Sequence, residues 1–194
     1  MLRHSRIIIY PLLFVFACLP LACKEKAMPK PRGYFRIDFP EKKYELWNQN
    51  YPFSFEYLQG ASVVKDKSRL AEKYWLNVEY PQYNATLHLS YKEVSENLEE
   101  YLEDSHTLVY KHAIKADAID EKNYTNQQKK VFGLVYRIEG NAASSVQFIA
   151  TDSIKHFLRG SLYFNAHPNQ DSLAPVIKFI DKDIIHLMES LKWQ

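Results

Sequence analysis

The sequence predicts an α+β fold, in which an antiparallel sheet is covered by two amphipathic helices. Several short segments alternate apolar and polar residues with a period of two, as strands with one buried face do. Two longer segments, residues 94–116 and 174–193, repeat apolar residues every three or four positions, which is typical of helices with one buried face. Because the strands follow one another in runs, we expect neighbouring strands to pair and each helix to cover one face of the sheet.

The chain begins with the three parts of an export signal. Arg3 and Arg6 form a basic tip, an apolar run follows, and the small residue Ala22 stands directly before Cys23. The apolar run is short and contains two prolines, which does not suit a membrane-spanning helix. We therefore predict a lipoprotein signal peptide over residues 1–22 and attachment of fatty acyl chains, such as palmitate, at Cys23.

Residues 19–23 resemble a lipobox, although Pro20 stands where a leucine is usual and Leu21 is bulky for its position. Cys18 is a rival lipidation site, but the apolar run before it would be shorter. The sequence is also compatible with an ordinary signal peptide cleaved nearby or with a retained anchor helix. No cysteine follows Cys23, so the rest of the chain can form neither a disulfide nor a thiolate metal site.

Behind the anchor, residues 23–33 contain two prolines and alternating charges, which predicts an extended tether. Residues 34–194 are predicted to form a single α+β domain. The chain has 25 basic and 23 acidic side chains, and the leader holds two of the basic ones, so the mature chain balances at 25 − 2 = 23 of each. This balance argues against nucleic-acid binding, which requires a basic face.

Three strands are predicted before the first helix. Residues 52–58 (PFSFEYL) place three aromatic side chains on one face. Residues 74–80 and 85–91 repeat the alternation, and the four residues between them suit a hairpin connection. The helix over residues 94–116 has acidic first turns and a basic end, as the helix dipole favours.

Three further strands are predicted over residues 130–139, 144–151 and 156–165. The turn-forming residues that separate them are Asn123, Gly140 and Asn141. The last helix, over residues 174–193, has Pro175 in its first turn, and the run Asp181-Lys182-Asp183 could divide it into two pieces.

No motif in the sequence selects a catalytic or metal site. The seven histidines form no metal-ligand spacing, and neither a phosphate-binding glycine loop nor a GxSxG motif occurs. Serine, histidine and aspartate residues are present, but no spacing groups them into a triad. We therefore predict no catalytic residue, no metal ligand, no cofactor and no enzymatic activity.

Two polar and aromatic spots are candidates for contact with a partner protein: Tyr110-Lys111-His112 and Arg159-Gly160. A structural interpretation takes them as the end of a helix and a strand with a bulge. A functional interpretation is also open, because Arg and aromatic residues carry much of the energy of protein interfaces. On that interpretation Arg159, Tyr110 and His112 are the contact residues, and Gly160 lets another chain approach closely.

Four segments in this order after the cysteine resemble the gliding motility lipoprotein GldD family of Bacteroidota: residues 29–37 (PKPRGYFRI), 110–119 (YKHAIKADAI), 157–165 (FLRGSLYFN) and 171–176 (DSLAPV). The resemblance implies a cell-envelope lipoprotein that is required for gliding and linked to type IX secretion, with no catalytic residue to carry over. The order of strands and helices also resembles PsbP-like α/β/α sandwiches, which usually act as binding or assembly modules.

From this resemblance we expect a non-enzymatic assembly or stabilising component, anchored by lipid in the cell membrane or outer membrane, facing the periplasm. Its partners would be other envelope proteins of gliding and secretion. The alternative is an envelope-acting enzyme or small-ligand binder with a pocket between sheet and helix. A compact pocket lined by convergent polar groups favours the alternative, whereas a broad apolar and aromatic surface favours docking.

Two tripeptides, Asp152-Ser153-Ile154 and Asp171-Ser172-Leu173, resemble the motif at which Bacteroidota O-glycosylate exported proteins. We therefore predict Ser153 and Ser172 as O-glycosylation sites.

Overall fold

The structure is a computed structural model, and it describes residues 37–111, 116–166 and 169–194. Its α-helices are α1 (Leu98–Lys111) and α2 (Gln170–Ser190), and a 3₁₀ turn at Pro81–Tyr83 lies between β4 and β5. The strands are β1 (Tyr44–Trp47), β2 (Phe53–Leu58), β3 (Ser62–Lys65), β4 (Leu76–Tyr80), β5 (Ala85–Glu93), β6 (Ala116–Asn126), β7 (Val131–Gly140), β8 (Ser144–Thr151), β9 (His156–Phe164) and β10 (Lys192–Trp193). The predicted leader, the tether and the boundary between tether and domain lie outside the described residues.

The main sheet has seven strands in the order β3-β4-β5-β9-β8-β7-β6, and every neighbouring pair is antiparallel. On one face, Leu87 and Leu158 join Ile180 and Ile184 of α2 in the largest apolar cluster. On the other face, Phe157 belongs to a smaller cluster against which α1 packs. The helices therefore cover opposite faces, which confirms the predicted α+β fold with an α/β/α layering.

A second sheet, in the order β1-β2-β10, was not predicted. The expectation that β2 pairs within the main sheet is wrong, because β2 pairs with β1 on one side and with β10 on the other. Phe53 and Phe55 of β2 are fully buried in the same apolar cluster as α2. Because α2 packs beside this strand, the residues that follow it, Lys192 and Trp193, come into register with Ser54 and Phe53.

The first helix is shorter than predicted. It begins at Leu98, because Glu96 has a positive φ of 60° and the backbone N–H of Val94 donates to the carbonyl of Lys155 at 2.8 Å, which fixes this segment outside the helix. The helical prediction is also wrong for Ala116, which begins β6. Residues 112–115 lie outside the described residues.

The last helix begins earlier and ends earlier than predicted. Asn169 caps it, since its side-chain oxygen accepts a hydrogen bond from the backbone N–H of Ser172 at 3.4 Å. Pro175 therefore lies inside the helix and not in its first turn. The run Asp181-Lys182-Asp183 does not divide the helix, and Trp193, predicted as helical, lies in β10.

The sequence pattern also missed the strands β1, β3, β6 and β10. The longest of them, β6, is an edge strand whose residues are mostly exposed, so its sequence shows no apolar alternation. Asn123, predicted to separate strands, lies in the middle of β6 opposite Leu134.

The first described segment is fastened to α2 by a buried carboxylate. The Asp183 side chain is only 1% exposed, and it accepts hydrogen bonds from the Lys42 ammonium and from the Tyr44 hydroxyl, the latter at 2.9 Å. Lys42 also donates to the carbonyl of Phe179 at 2.8 Å and lies 3.6 Å from the centre of its ring. Burial raises the pKa of Asp183 above its ordinary value, although Lys42 and Tyr44 both favour the carboxylate.

Candidate functional site

A pocket of about 170 Å³ lies between α1 and the central strands β5 and β9. It forms because α1 packs over Phe157 and Ile149 and leaves the neighbouring part of the sheet uncovered. Its apolar lining comes from Trp75, Tyr101, Leu108 and Phe157, and its polar lining from Glu72, Ser90, Lys92, Asp104, Ser105 and Arg159. This is the kind of pocket between sheet and helix on which the small-ligand alternative depends.

Arg159 lies at the centre of the sheet, on the face that α1 covers. In β9 it is in register with Ser90 of β5 and Ile149 of β8, whereas its neighbour Leu158 faces the main core. Its Nη2 donates a hydrogen bond to Oε1 of Gln147, which also accepts one from the Ser161 hydroxyl at 3.3 Å. Burial lowers the pKa of Arg159 from its ordinary value.

This buried polar group has more donors than acceptors. The Nε of Arg159 and the Nε2 of Gln147 are both covered, and neither has a hydrogen-bond partner within the part of the chain that the structure describes. Over the same residues, no carboxylate lies within ion-pair distance of the Arg159 guanidinium. Arg159 is half-buried, and a charge that is withdrawn from water normally has a paired counter-ion.

The other charges of the pocket are mainly at its rim. Lys92 forms an ion pair with Glu72, in which the two side chains are 32% and 52% exposed. The Lys92 ammonium also lies 5.8 Å from the Trp75 ring and 6.0 Å from the Tyr101 ring. Asp104, an exposed residue of α1, adds one more negative charge to the lining.

Gly160 does not mark a bulge or an approach for another chain. β9 pairs with β5 without a register shift, and the irregularity in this region lies in β8, between Ser144 and Val146. On the core face, a Cβ at Gly160 would come 2.0 Å from Cε1 of Phe148. Glycine is therefore required at this position because the Phe148 ring, which is part of the core, leaves no room for a side chain.

The structure does not bring Tyr110 together with Arg159. Tyr110 lies at the end of α1, where its hydroxyl donates to Oε1 of Glu121 in β6 at 2.6 Å and its ring lies 4.4 Å from that of His106. β6 is three strands away from β9, which corresponds to about 14 Å across the sheet. His112 lies outside the described residues, and the contact roles of all three residues stay predictions.

The predicted modification sites that the structure describes are exposed. Ser153 lies in the turn between β8 and β9 with a φ of 66°, and Ser172 lies in the first turn of α2. In the same turn as Ser153, Oδ1 of Asp152 accepts hydrogen bonds from three backbone N–H groups at 2.8 to 2.9 Å. Burial acts to raise the pKa of Asp152, but these donors hold it below its ordinary value. Cys23 lies outside the described residues.

Within residues 37–111, 116–166 and 169–194, no three histidine, cysteine or acidic side chains come together as metal ligands. No helix among these residues has the length and apolarity needed to cross a membrane.

Most of the pocket was missed from the sequence. The signal that could have revealed it is in β5, where the polar residues Ser90 and Lys92 alternate with apolar ones. A strand that is covered on both faces would have apolar residues at these positions too. The sequence around Gln147 and Trp75 shows no pattern that indicates a pocket, because these residues are brought to it by the pairing of strands that are distant in the chain.

The sequence model of the gliding motility lipoprotein GldD family matches residues 24–193. The chain belongs to this family. The resemblance seen in the four sequence segments is thereby confirmed, and with it the assignment as a gliding motility lipoprotein. Because the GldD family is one of lipoproteins, its members associate with a membrane of the cell envelope through a lipid anchor.

A search of curated proteins found no significant match to this GldD-family chain. Among solved structures, the chain is similar to the solution structure of cyanobacterial PsbP (CyanoP) from Synechocystis sp. PCC 6803, with a TM-score of 0.49 and 10% sequence identity. That match covers 90% of this chain and 99% of the other.

Proposed function

We propose that this GldD-family lipoprotein supports gliding motility and type IX protein secretion as a non-enzymatic assembly or stabilising component. Lipid on Cys23 holds it at a membrane, facing the periplasm, and its domain docks on other envelope proteins. The observation that carries the docking role is the second half of α1, where Leu108 is 39% and Tyr110 is 43% exposed. Large apolar and aromatic side chains that are exposed on a helix are typical of interaction surfaces.

The contacts of these residues suit an interface. The hydrogen bond from Tyr110 to Glu121 and the ring contact with His106 fix the orientation of the tyrosine before any partner arrives. A side chain fixed in advance loses less conformational entropy on binding, which favours affinity. Leu108 lines the pocket that contains Arg159, so the side of α1 that carries Leu108 adjoins that pocket.

Site-specific photo-crosslinking in the native cells tests the docking role. A photoreactive amino acid in place of Tyr110 should form crosslinks to other envelope proteins of the gliding and secretion machinery. The same amino acid in place of Lys122, an exposed residue of β6, should form few. Equal crosslinking from both positions, or none from position 110, would contradict docking through α1.

A second candidate function, binding of a small molecule, is favoured by one specific observation. The pocket beneath α1 contains the half-buried side chain of Arg159, which has no carboxylate partner in the described residues. Such an arrangement fits an anionic ligand.

We also propose that Ser153 and Ser172 are O-glycosylated in the native envelope, which their exposure permits. The intact mass of the native protein should exceed that of the lipidated chain by the mass of one or two glycans. Each Ser→Ala variant should lose one glycan mass, and an unchanged mass would exclude that serine.

A further inference from the structure

The half-buried Arg159 and the buried Gln147 and Ser161 form a cluster that has an excess of hydrogen-bond donors. One acceptor, Oε1 of Gln147, serves both Arg159 and Ser161, while the Nε of Arg159 and the Nε2 of Gln147 have no acceptor among the described residues. Buried polar groups are nearly always paired, and an unpaired one requires an explanation. Arg159 is the member of this cluster that lines the pocket.

A ligand in the pocket would meet the part of Arg159 that is not covered, and the positive charge there favours an acceptor with negative charge. Lys92 is already neutralised by Glu72, so Arg159 is the cation of the pocket whose charge has no ion-pair partner in the described part of the chain. The planar guanidinium, with its parallel N–H groups, matches the two oxygens of a carboxylate. Asp104 also lines the pocket, and its negative charge would repel a doubly charged phosphate more than a singly charged carboxylate.

The other walls of the pocket are apolar, so they favour a ligand that has an apolar group beside its negative charge. The rings of Trp75, Tyr101 and Phe157 form them, with the Tyr101 and Phe157 ring centres 5.5 Å apart. The volume of about 170 Å³ is about six times the volume that one water molecule occupies in the liquid, so the bound group is small.

We infer that the pocket beneath α1 binds one carboxylate joined to a small apolar or aromatic group, with Arg159 as its cationic partner. The carboxylate belongs either to a free organic acid or to the last residue of a polypeptide, since both present the same chemistry. This inference does not depend on the lipid anchor or on a role in gliding, so its failure would leave those proposals untouched.

Calorimetric titration of the full lipidated chain in detergent tests the ligand chemistry. The probes are phenylacetate, its neutral analogue phenylacetamide and its more highly charged analogue phenylphosphonate. A second pair is the tripeptide Gly-Gly-Phe with a free or an amidated carboxyl end. Each free acid that binds should do so at least about tenfold more tightly than its amide, equal to about 1.4 kcal/mol. Phenylphosphonate should bind more weakly than phenylacetate.

The source of the carboxylate follows from the same titrations. Tighter binding of phenylacetate indicates a free acid, and tighter binding of the tripeptide indicates a chain end. Equal binding of acids and amides, tighter binding of phenylphosphonate, or no binding of either acid would overturn the inference.

Arg159→Met tests the cationic partner, because methionine keeps an apolar stem in the pocket and removes the charge. We expect affinity for the acid to fall at least about tenfold, the same factor that is expected between acid and amide. The melting temperature of the unliganded protein should change little, since the charge has no ion-pair partner among the described residues to lose, and Oε1 of Gln147 still accepts a hydrogen bond from the Ser161 hydroxyl. Lys122→Met makes the same charge change on the exposed strand β6 and should leave binding unchanged. Unchanged binding by Arg159→Met would overturn the inference.

Asp104→Asn is a second variant, at an exposed residue of α1 where folding is not at risk. Removing this negative charge from the lining should tighten binding of the acid without affecting binding of the amide. Should Arg159→Met fail to fold, unchanged affinity of Asp104→Asn for the acid would overturn the inference.

Discussion

The contact between Lys42 and Asp183 permits a prediction whose size and pH dependence both follow from the structure. Lys42→Met removes the ammonium and leaves the Asp183 carboxylate, 1% exposed, with the Tyr44 hydroxyl as its hydrogen-bond donor among the described residues. Removing one partner of a buried ion pair costs about 3–5 kcal/mol, because an unpaired charge stays behind. The Lys42 side chain is 20% exposed, so we take the lower end, about 3 kcal/mol.

Protonation of Asp183 sets an upper limit to this cost. The carboxyl can take up a proton instead of remaining charged, and between its unfolded pKa of about 3.9 and pH 7 this costs about 4 kcal/mol, at 1.36 kcal/mol for each unit. For a protein of this size, about 3 kcal/mol lowers the melting temperature by about 6–12 °C.

The sign of the pH dependence is fixed by the raised pKa of Asp183. A carboxyl whose folded pKa lies above its unfolded value contributes most stability where it is protonated, and that contribution is lost as the pH rises from the unfolded to the folded pKa. Without Lys42 the pKa of Asp183 in the folded protein rises further, because the nearby positive charge is gone. The variant should therefore be about as stable as the wild type near pH 4, and its loss of stability relative to the wild type should grow towards pH 8.

Thermal denaturation of the wild type, Lys42→Met and Lys42→Met/Asp183→Asn at several pH values is the assay. The second substitution removes the stranded charge, so it should restore stability near pH 8 and have little effect near pH 4. Lys92→Met, in the exposed pair with Glu72, is the matched control and should cost at most about 1 kcal/mol. A loss for Lys42→Met no larger than this, or a loss that is independent of pH, would show that Lys42 does not compensate the buried charge of Asp183.

Three further predictions concern the anchor and the core. Cys23→Ser should abolish incorporation of a labelled fatty acid and release the protein from membranes, and persistent labelling would contradict lipidation at this residue. Leu102→Asp should lower the free energy of unfolding by about 2 kcal/mol, because Leu102 lies on the face of α1 that packs against Ile149 and Phe157. Glu99→Ala on the exposed face should change it by less than about 0.5 kcal/mol, and similar melting temperatures for the two variants would contradict the assigned helix face. Gly160→Ala should cost about 1–3 kcal/mol in urea denaturation, since its Cβ would overlap the Phe148 ring, and wild-type stability would show that the core can adjust.

The elements that the sequence predicted well are those whose periodicity is set by one buried face. β5 alternates buried and half-buried residues along almost its whole length, and α1 turns Ser105 and Val109 inward while most of its other residues are exposed. In both cases local spacing alone determines which residues are buried, so the sequence contains the information.

The parts that were missed depend on contacts between distant residues. The exposed edge strand β6 and the two-residue strand β10 exist because β7 and β2 lie beside them, and their own sequences show no strand period. Lys42 and Asp183 are 141 positions apart in the chain, so no local pattern pairs them. The pocket likewise depends on the register that aligns Arg159 with Ser90.

If this GldD-family lipoprotein acts in gliding through the surface of α1 and the pocket beneath it, the loss of Arg159 should stop the movement of cells. The measurement is the spreading rate of cells that lack the native gene and carry Arg159→Met at the wild-type level in the membrane. We predict that these cells lose gliding although the variant is folded and lipidated, while cells with Lys122→Met spread normally. Normal spreading of the Arg159→Met cells would contradict a role for this pocket in gliding.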